Sequence, residues 1–310
     1  LSSLSCGIGY GDEVLVQSLT YVASFQAISA TGAIPVACDI DPITLCLDWK
    51  DAEKRLTSKT KAVMPVHYAG GVGALDEVYA FAKKYGLRVI EDAAHAFGSK
   101  HNNKNVGSFG DIACFSFDGI KNITSGEGGC IVTDDQNILE KVQDARLLGV
   151  KKDTEKRYKN NRSWEIDVVA QGWRYHMSNI MAAIGIEQLK RFPELSNKRK
   201  ELAKSYDDYL SADSQVATLP NDYSKIVPHI YPVMLKGAVD RNALQKSLSE
   251  AGIQTGIHYY PNHKLSMYKE TDVSFPIVNA IYPTLITLPL HPDLSLEDVK
   301  YVSQVLVEQL

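Results

Sequence analysis

Three groups that could bind a ligand stand where predicted buried strands end. Lys121 follows the hydrophobic run CFSF and precedes a glycine-rich turn, residues 126–129, in which the backbone can approach a ligand closely. Asp92 comes after another short apolar run, and the pair His67-Tyr68 comes after a third. Because ligands gather at the carboxyl ends of parallel strands, an ammonium, a carboxylate, an imidazole and a phenol at these positions predict a shared polar site.

The same residues have an ordinary structural interpretation. Asp92 could cap a helix that begins at Ala93, and Lys121 could be a surface loop residue. Against this, a carboxylate and an ammonium at buried strand ends are each costly in free energy unless they have partners. The spacing of the residues leaves both interpretations open.

The elements that must position these groups alternate between strand and helix. Gly86 is expected to end the second helix, because glycine readily takes the left-handed conformation found at helix C-termini. The predicted strands cover residues 12–16, 33–38, 62–66 and 88–90, and the predicted helices cover residues 21–30 and 76–85. Such alternation predicts parallel strands joined by helical crossovers, which is an α/β sandwich.

A different pattern follows in the second half of the chain. Residues 178–210 predict one long helical stretch, interrupted only around Phe192-Pro193. After it we predict a strand over 229–235, a helix over 240–251, a strand over 254–259 and a last helix that starts with a capping box at residues 295–298. We place a domain boundary near residue 205, inside the long helical stretch.

Composition excludes several classes of protein. The 310 residues carry 33 basic and 37 acidic side chains, a net charge of −4, without a basic stripe, so nucleic acid is not an expected partner. No apolar run approaches the ~18 residues that a membrane span needs. The five cysteines form no C-x-x-C pair and the eight histidines show no zinc-site spacing. We therefore expect no membrane span, no metal site and a cytoplasmic location.

Longer motifs resemble the DegT/DnrJ/StrS family of pyridoxal-phosphate-dependent nucleotide-sugar aminotransferases. In chain order they read GYGDEV at 9–14, TKAVMPVH at 60–67, IEDAAHA at 90–96, FSF-x-x-x-K at 115–121, GEGG at 126–129 and GI at 252–253. The resemblance covers essentially the whole chain. It implies an aspartate-aminotransferase-like (type I) three-layer sandwich with a mostly parallel sheet. Residues 1–205 would form the large cofactor-binding domain, and residues 206–310 a smaller α+β domain.

The resemblance also implies roles for single residues. Lys121 stands where the family forms its Schiff base with pyridoxal phosphate, a role that needs the neutral amine and is favoured when partial desolvation lowers the lysine pKa. Asp92 matches the carboxylate that pairs with the pyridine nitrogen, and such a pair is worth about 4 kcal/mol at an effective dielectric constant of about 20. Ser116 matches a position whose hydroxyl binds the cofactor phosphate.

Three further positions match the family less uniformly. Tyr21 matches an aromatic residue that stacks on the cofactor ring, with ordinary core packing as the alternative. His95 replaces the glutamine of many members and could donate to the phenolic oxygen of the cofactor. Arg174 replaces an asparagine that reaches the phosphate of the neighbouring subunit, so the resemblance implies a homodimer with shared active sites. A plain surface position is the alternative for Arg174.

The reaction implied by the resemblance is transfer of an amino group, with glutamate as donor, to the ketone of a nucleotide-linked 4-keto-6-deoxyhexose. The setting would be bacterial glycan synthesis of the O-antigen type. The run KNITSGEGG that begins at Lys121 resembles family members that aminate C4 more than those that aminate C3, which often read GDGG after the lysine. We expect His67, Tyr68, His258 and Tyr259 to contact the substrate. A 3-keto-sugar, cyclitol or related aminotransferase remains open, as does a non-catalytic regulator that binds pyridoxal phosphate.

The start of the chain departs from the family pattern. Family members carry a leading segment with a Gly-Thr or Gly-Ser turn that binds the phosphate through backbone N–H groups. The resemblance places Leu1 inside the helix that follows this turn. We therefore expect a preceding segment that completes the phosphate site.

Overall fold

The computed structural model describes residues 1–151, 166–211, 213–269 and 273–310. A six-stranded sheet lies at the centre of the first half of the chain. Its strands are β1 (Glu13–Gln17), β2 (Ile34–Cys38), β3 (Thr60–Met64), β4 (Arg88–Asp92), β7 (Ile112–Ser116) and β8 (Gly129–Thr133). Between them in sequence, β5 (Lys100–His101) and β6 (Lys104–Asn105) form a small antiparallel hairpin of their own.

The direction of the strands follows the sequence prediction. The sheet order is β2-β1-β3-β4-β7-β8, and the neighbours from β2 to β7 pair in parallel. Strand β8 then pairs with β7 in the antiparallel direction, which the short loop between them allows. The predicted mostly parallel α/β sheet is confirmed.

Helices cover the sheet and continue into the second half of the chain. They are α1 (Ser2–Ser5), α2 (Ala23–Ser29), α3 (Trp49–Lys54), α4 (Leu75–Tyr85), α5 (Gln136–Ala145), α6 (Asn179–Leu210), α7 (Arg241–Glu250), α8 (Pro276–Ile281) and α9 (Leu296–Glu308). The predicted helix ends hold where the sequence carries capping signals. Gly86 ends α4 in the left-handed conformation, and Ser295 with Asp298 forms the predicted capping box of α9. None of the described helices is both long and apolar enough to cross a membrane.

Two apolar cores lie on opposite faces of the central sheet. Val14 and Val16 of β1 pack in one core together with Phe25 of α2, whereas Leu15 packs in another core together with Phe81 of α4. Successive side chains of a strand point to opposite faces, so this alternation places helices on both sides of the sheet. The result is the expected helix–sheet–helix sandwich.

The second half differs from the prediction in two places. Helix α6 continues through Pro193 without a break, and Phe192 packs edge-on against Phe97 with 5.0 Å between the ring centroids. That tertiary contact holds the turn in which proline removes a backbone hydrogen bond. The predicted strand over 254–259 is wrong, since only Gly256 bridges to Thr287.

A smaller sheet lies beyond α6. It consists of β9 (Val216–Thr218), β10 (Tyr231–Leu235) and β11 (Leu285–Leu288) in the antiparallel order β11-β10-β9. Its core contains side chains from the end of α6, from α7 and from α9. A domain division near residue 205 stays a prediction, because α6 runs through that position and contributes to this second core.

We expect Gly86→Ala to lower the free energy of unfolding by about 1–2 kcal/mol, the cost of a left-handed conformation for a residue with a Cβ. Residue 86 has a φ of 67°, and a Cβ there would meet no atom within 4 Å, so the cost comes from the backbone alone. Gly9→Ala is the matched control, because its backbone lies outside the left-handed region and its nearest neighbour, the Thr31 carbonyl oxygen, is 3.8 Å away. Equal destabilisation of both variants in chemical denaturation would contradict this explanation.

Candidate active site

The carboxyl edge of the central sheet brings the predicted carboxylate and lysine together. Asp92 is the last residue of β4 and pairs with Cys114 of the neighbouring strand β7. Strand β7 ends at Ser116, and Lys121 lies in the loop that follows. The negative charge of Asp92 is one of the influences on the Lys121 pKa and acts to raise it, which reflects the proximity of the two groups.

A serine that the sequence analysis did not single out orients Asp92. The Ser24 hydroxyl donates to Oδ2 of Asp92 at 2.6 Å, and the Ala94 N–H donates to Oδ1 at 3.2 Å. A turn follows Asp92 instead of a helix, so the helix-capping interpretation is wrong. The signal for Ser24 was its position three residues after Tyr21, because residues three apart share one face of a helical turn.

Partial burial weakens the hold of Lys121 on its proton. Desolvation lowers the pKa of the lysine, while the charges of Asp92 and Asp118 act in the opposite direction and raise it. The net shift is downward. Lys121 therefore has a larger neutral fraction at a given pH than an ordinary lysine, which suits an amine that must act as a nucleophile.

The glycines after Lys121 pack closely against other residues of the same chain. Gly126 has a φ of 83°, a conformation that suits glycine. A Cβ at Gly128 would lie 2.6 Å from Met177 Cε, and one at Gly129 would lie 2.5 Å from the Phe115 carbonyl oxygen. The structure thus gives the last two glycines of the turn a role in close packing between β7, β8 and the segment before α6.

His95 and Tyr259 form a hydrogen-bonded pair beside the lysine. Nε2 of His95 lies 2.9 Å from the Tyr259 hydroxyl, and the Tyr259 ring lies 5.6 Å from the ring of Tyr21. Desolvation first, and then the nearby charges of Lys121 and His258, hold the pKa of His95 well below its ordinary value. Tyr21 is 58% exposed, so ordinary core packing does not describe it.

Two more polar residues join Lys121, His95 and Tyr259 in one group, which we call the cofactor cluster. The sequence analysis missed both. The His229 ring lies 4.3 Å from that of His95, and its Nδ1 lies 3.3 Å from Oδ1 of Asn122. Burial and the neighbouring His95 and Lys121 hold the pKa of His229 far below its ordinary value. Asn122 follows Lys121 directly, which was a usable signal, whereas nothing local in the sequence points to His229.

The structure separates His67 and Tyr68 from a role in direct substrate contact. His67 has no exposed surface, and its Nε2 donates to Oε2 of Glu91 at 2.6 Å, while the Tyr79 hydroxyl donates to Oε1 of the same carboxylate at 2.7 Å. Tyr68 is also buried, and its hydroxyl donates to the carbonyl oxygen of His258. Both side chains lie in the interior of the protein, out of reach of a substrate, so this part of the sequence prediction is corrected.

The remaining predicted residues, His258, Ser116 and Arg174, lie in three different local environments. His258 is partly buried, and its Nδ1 lies 2.9 Å from the Thr287 hydroxyl. The Ser116 hydroxyl accepts a hydrogen bond from the Asp118 N–H at 3.3 Å, within the loop that leads to Lys121. Arg174 is exposed, and its backbone bridges to Leu147. Within the described residues, Arg174 is not in contact with the cluster.

Comparison with known proteins identifies the family. Residues 1–307 match the DegT/DnrJ/EryC1/StrS aminotransferase family. "Uncharacterized protein MJ1066" of Methanocaldococcus jannaschii is 35% identical over 96% of this chain and 80% of its own length. A Streptococcus pneumoniae protein solved in its PLP form is 30% identical, with a TM-score of 0.89 over 99% of this chain and 82% of its own.

A second solved structure is similar over the same extent. PseC of Helicobacter pylori, an aminotransferase involved in the biosynthesis of pseudoaminic acid, is 28% identical, with a TM-score of 0.90 over 99% of this chain and 84% of its own. The chain belongs to the DegT/DnrJ/EryC1/StrS aminotransferase family and is a pyridoxal-phosphate-dependent aminotransferase.

The described residues fit that cofactor. Asp92 offers a carboxylate for the pyridine nitrogen, Lys121 offers an amine with a lowered pKa, and Tyr21 offers an exposed aromatic ring. Nδ1 of His95 is buried without a hydrogen-bond partner among the described residues, so it has the capacity to bind a polar group of the cofactor. A carboxylate, an amine and an aromatic face are the groups that a pyridinium aldehyde requires.

We expect the Lys121 amine to titrate below the ordinary lysine value, and to titrate lower still in the Asp92→Asn variant. The sign follows from the charges, because removal of the carboxylate removes an interaction that raises the lysine pKa and leaves the desolvation that lowers it. NMR of isotopically methylated lysines in the cofactor-free protein measures both values. Asp12→Asn is the matched control, in the partly buried turn where Asp12 accepts a hydrogen bond from the Gly9 N–H. An unchanged or higher Lys121 pKa in Asp92→Asn would refute the pairing.

Proposed function

We propose that this enzyme transfers an amino group from glutamate to the ketone of a nucleotide-linked 4-keto-6-deoxyhexose, for bacterial glycan synthesis of the O-antigen type. The observation that carries the proposal is the partly desolvated Lys121 amine near the Asp92 carboxylate at the carboxyl edge of the sheet. Similarity to PseC supports a sugar substrate. The run KNITSGEGG supports amination at C4.

The chain provides groups that hold and orient the cofactor. Pyridoxal phosphate, when bound, supplies an aldehyde carbon that carries the amino group and a ring that accepts electrons. Asp92 would hold the proton on the ring nitrogen, and Ser24 keeps that carboxylate oriented through its hydrogen bond to Oδ2. Tyr21 would cover one face of the ring, and Ser116 would bind the phosphate.

Lys121 is the group that would move the proton. In the first half of the reaction, its Nζ would take a proton from Cα of the amino donor. In the second half, it would deliver a proton to the sugar carbon that receives the amino group. Desolvation lowers its pKa, so the neutral amine is more available as a base near neutral pH. His258 and Tyr259, which are both partly exposed near this cluster, are our remaining candidates for contact with the substrate.

We expect Lys121→Ala to abolish amino transfer while the protein stays folded, because a half-buried loop lysine contributes little to core packing. Purified protein is assayed with glutamate against nucleotide-linked 4-keto and 3-keto sugars, and thermal unfolding checks the fold. Lys246→Ala, whose side chain is 80% exposed on α7, is the control and should keep wild-type turnover. Turnover of Lys121→Ala close to wild type would remove Lys121 from the mechanism.

The same assay separates the alternative functions. Bleaching of the visible cofactor band by glutamate, with turnover of the 4-keto sugars, is the expected result. Turnover of 3-keto sugars alone would move the amination to C3. A protein that binds pyridoxal phosphate, gives no bleaching with any amino donor and turns over no ketone would instead be a regulator.

The proposal includes a homodimer with shared active sites. An apolar surface precedes α6 and continues along its first turns, where exposed large side chains are unusual for a monomer. Its members, with their exposed fractions, are Ile166 (65%), Val169 (74%), Tyr175 (63%), Ile180 (77%) and Leu189 (55%). Arg174 stands next to Tyr175 in this segment, and the family resemblance implies that a second copy covering the segment would bring Arg174 near the cofactor phosphate of the other subunit.

We expect inactive Lys121→Ala chains mixed with inactive Arg174→Ala chains to regain activity. Each hybrid dimer has one pocket with both substitutions and one with neither, so random exchange at equal amounts leaves about a quarter of all pockets intact. Mass spectrometry confirms that subunits exchange. A mixture of Lys121→Ala with Lys121→Ala chains carrying a mass label is the control and should stay inactive. Confirmed hybrids without recovered activity would show that Arg174 does not serve the other subunit.

A further inference from the structure

Tyr259 contacts both residues that are expected to lie against the cofactor ring. Its hydroxyl is 2.9 Å from Nε2 of His95, and its ring is 5.6 Å from that of Tyr21. Tyr259 belongs to the segment that follows Gly256, whose backbone is paired to Thr287 of β11. The small sheet therefore holds a phenol against the cofactor cluster of the large sheet.

The His95 ring is held on a second side. His229 packs against it at 4.3 Å, and the backbone of His229 is fixed in turn, because its carbonyl oxygen accepts from Nη1 of Arg199 at 3.1 Å. His95 is only 4% exposed and Arg199 only 5%. A ring enclosed in this way keeps one orientation, and the remaining freedom is the position of its proton.

The surroundings of His95 disfavour a charged imidazole. The groups that face it are Lys121, His258, His229 and the Tyr259 hydroxyl. Burial and the charges of Lys121 and His258 lower the pKa of His95, so one ring nitrogen carries a proton and the other does not. Burial, together with the charge of Asp92, raises the pKa of Tyr259, so the phenol keeps its proton.

The available hydrogen-bond partners decide which nitrogen of His95 carries the proton. If Nε2 donated to Tyr259, the phenol proton and the Nδ1 lone pair would both lack a partner among the described residues. If Tyr259 donates to Nε2, only the Nδ1–H lacks one. A buried polar group without a partner is costly, so the arrangement with fewer such groups is favoured.

We propose that Tyr259 is a positioning residue. Its hydroxyl donates a hydrogen bond to Nε2 of His95 and so holds that imidazole neutral, with its proton on Nδ1, beside the cofactor. The consequence for the cofactor rests on the proposed function. While Tyr259 occupies Nε2, His95 cannot donate from that nitrogen or add a positive charge next to Lys121. Tyr259 thereby acts on the reaction through His95, whatever contact it also makes with the substrate.

The first experiment uses the cofactor-free protein and does not depend on any activity. Long-range ¹H–¹⁵N NMR of the histidine rings, with His95 assigned by its loss in His95→Gln, should show a protonated Nδ1 and an unprotonated Nε2. Tyr259→Phe should shift the His95 titration to higher pH, because a hydrogen bond that favours the neutral form is lost. Tyr260→Phe removes a hydroxyl from the next residue, which packs on Tyr282, and should change nothing. A protonated Nε2 in the wild type, or no change in Tyr259→Phe, overturns the proposal.

The second experiment uses the holoenzyme and a double-mutant cycle. The visible absorbance band of bound pyridoxal phosphate is titrated with pH in the wild type, Tyr259→Phe, His95→Gln and the double variant. Tyr259→Phe should move the midpoint to lower pH, because an Nε2 that Tyr259 no longer occupies can donate a hydrogen bond or take a proton, and either change disfavours a positive charge nearby. It should have no such effect in the His95→Gln background. An equal shift in both backgrounds would show that Tyr259 acts on the cofactor directly and would overturn the proposal. A wild type that binds no pyridoxal phosphate would refute the proposed function, whereas the NMR result would still decide the Tyr259–His95 pair.

Discussion

The rest of the site depends on one interaction, which joins the partly desolvated amine of Lys121 and the carboxylate of Asp92. Burial lowers the lysine pKa and the carboxylate raises it, so the balance depends on solvent access and on distance. The parallel pairing of β4 and β7 brings the two groups to the same edge of the sheet, because Asp92 ends β4 and Lys121 lies in the loop after β7. Helix α2 adds the Ser24 hydroxyl, which leaves the carboxylate little freedom to turn away.

The segment around Asn262 and His263, from the second half of the chain, covers this edge of the sheet. Polar side chains attach it to the residues that follow β1. Asn262 donates to the carbonyl oxygens of Ser18 and Thr20, at 3.1 and 2.7 Å, just beyond the end of β1. Nδ1 of His263 lies 2.7 Å from the Ser18 hydroxyl. These bonds hold the segment that carries Tyr259 against the first half of the chain, so the position of the small sheet and the geometry of the cofactor cluster are coupled.

The histidines around Lys121 share one electrostatic property. The pKa values of His95, His229 and His258 are all lowered, first by burial and then by the positive charges of their neighbours. Neutral imidazoles can pack closely beside an amine, whereas charged ones would repel it and one another. The cluster is therefore polar without being positively charged, and Asp92 provides the compensating negative charge near the lysine.

The sequence by itself determined most of the elements around the site, since their signals are local. The apolar run from Val14 to Val16, the glycine that ends α4 and the capping box that starts α9 were all readable, because apolar runs and capping signals act over a few residues. Only the tertiary structure decided the contacts between distant residues, such as Asn122 with His229, 107 positions apart, and His95 with Tyr259, 164 positions apart. It also carried α6 through Pro193 and placed His67 in the interior against Glu91. Such contacts depend on how whole elements pack, and neither local propensity nor spacing encodes the partner that a buried polar side chain will find.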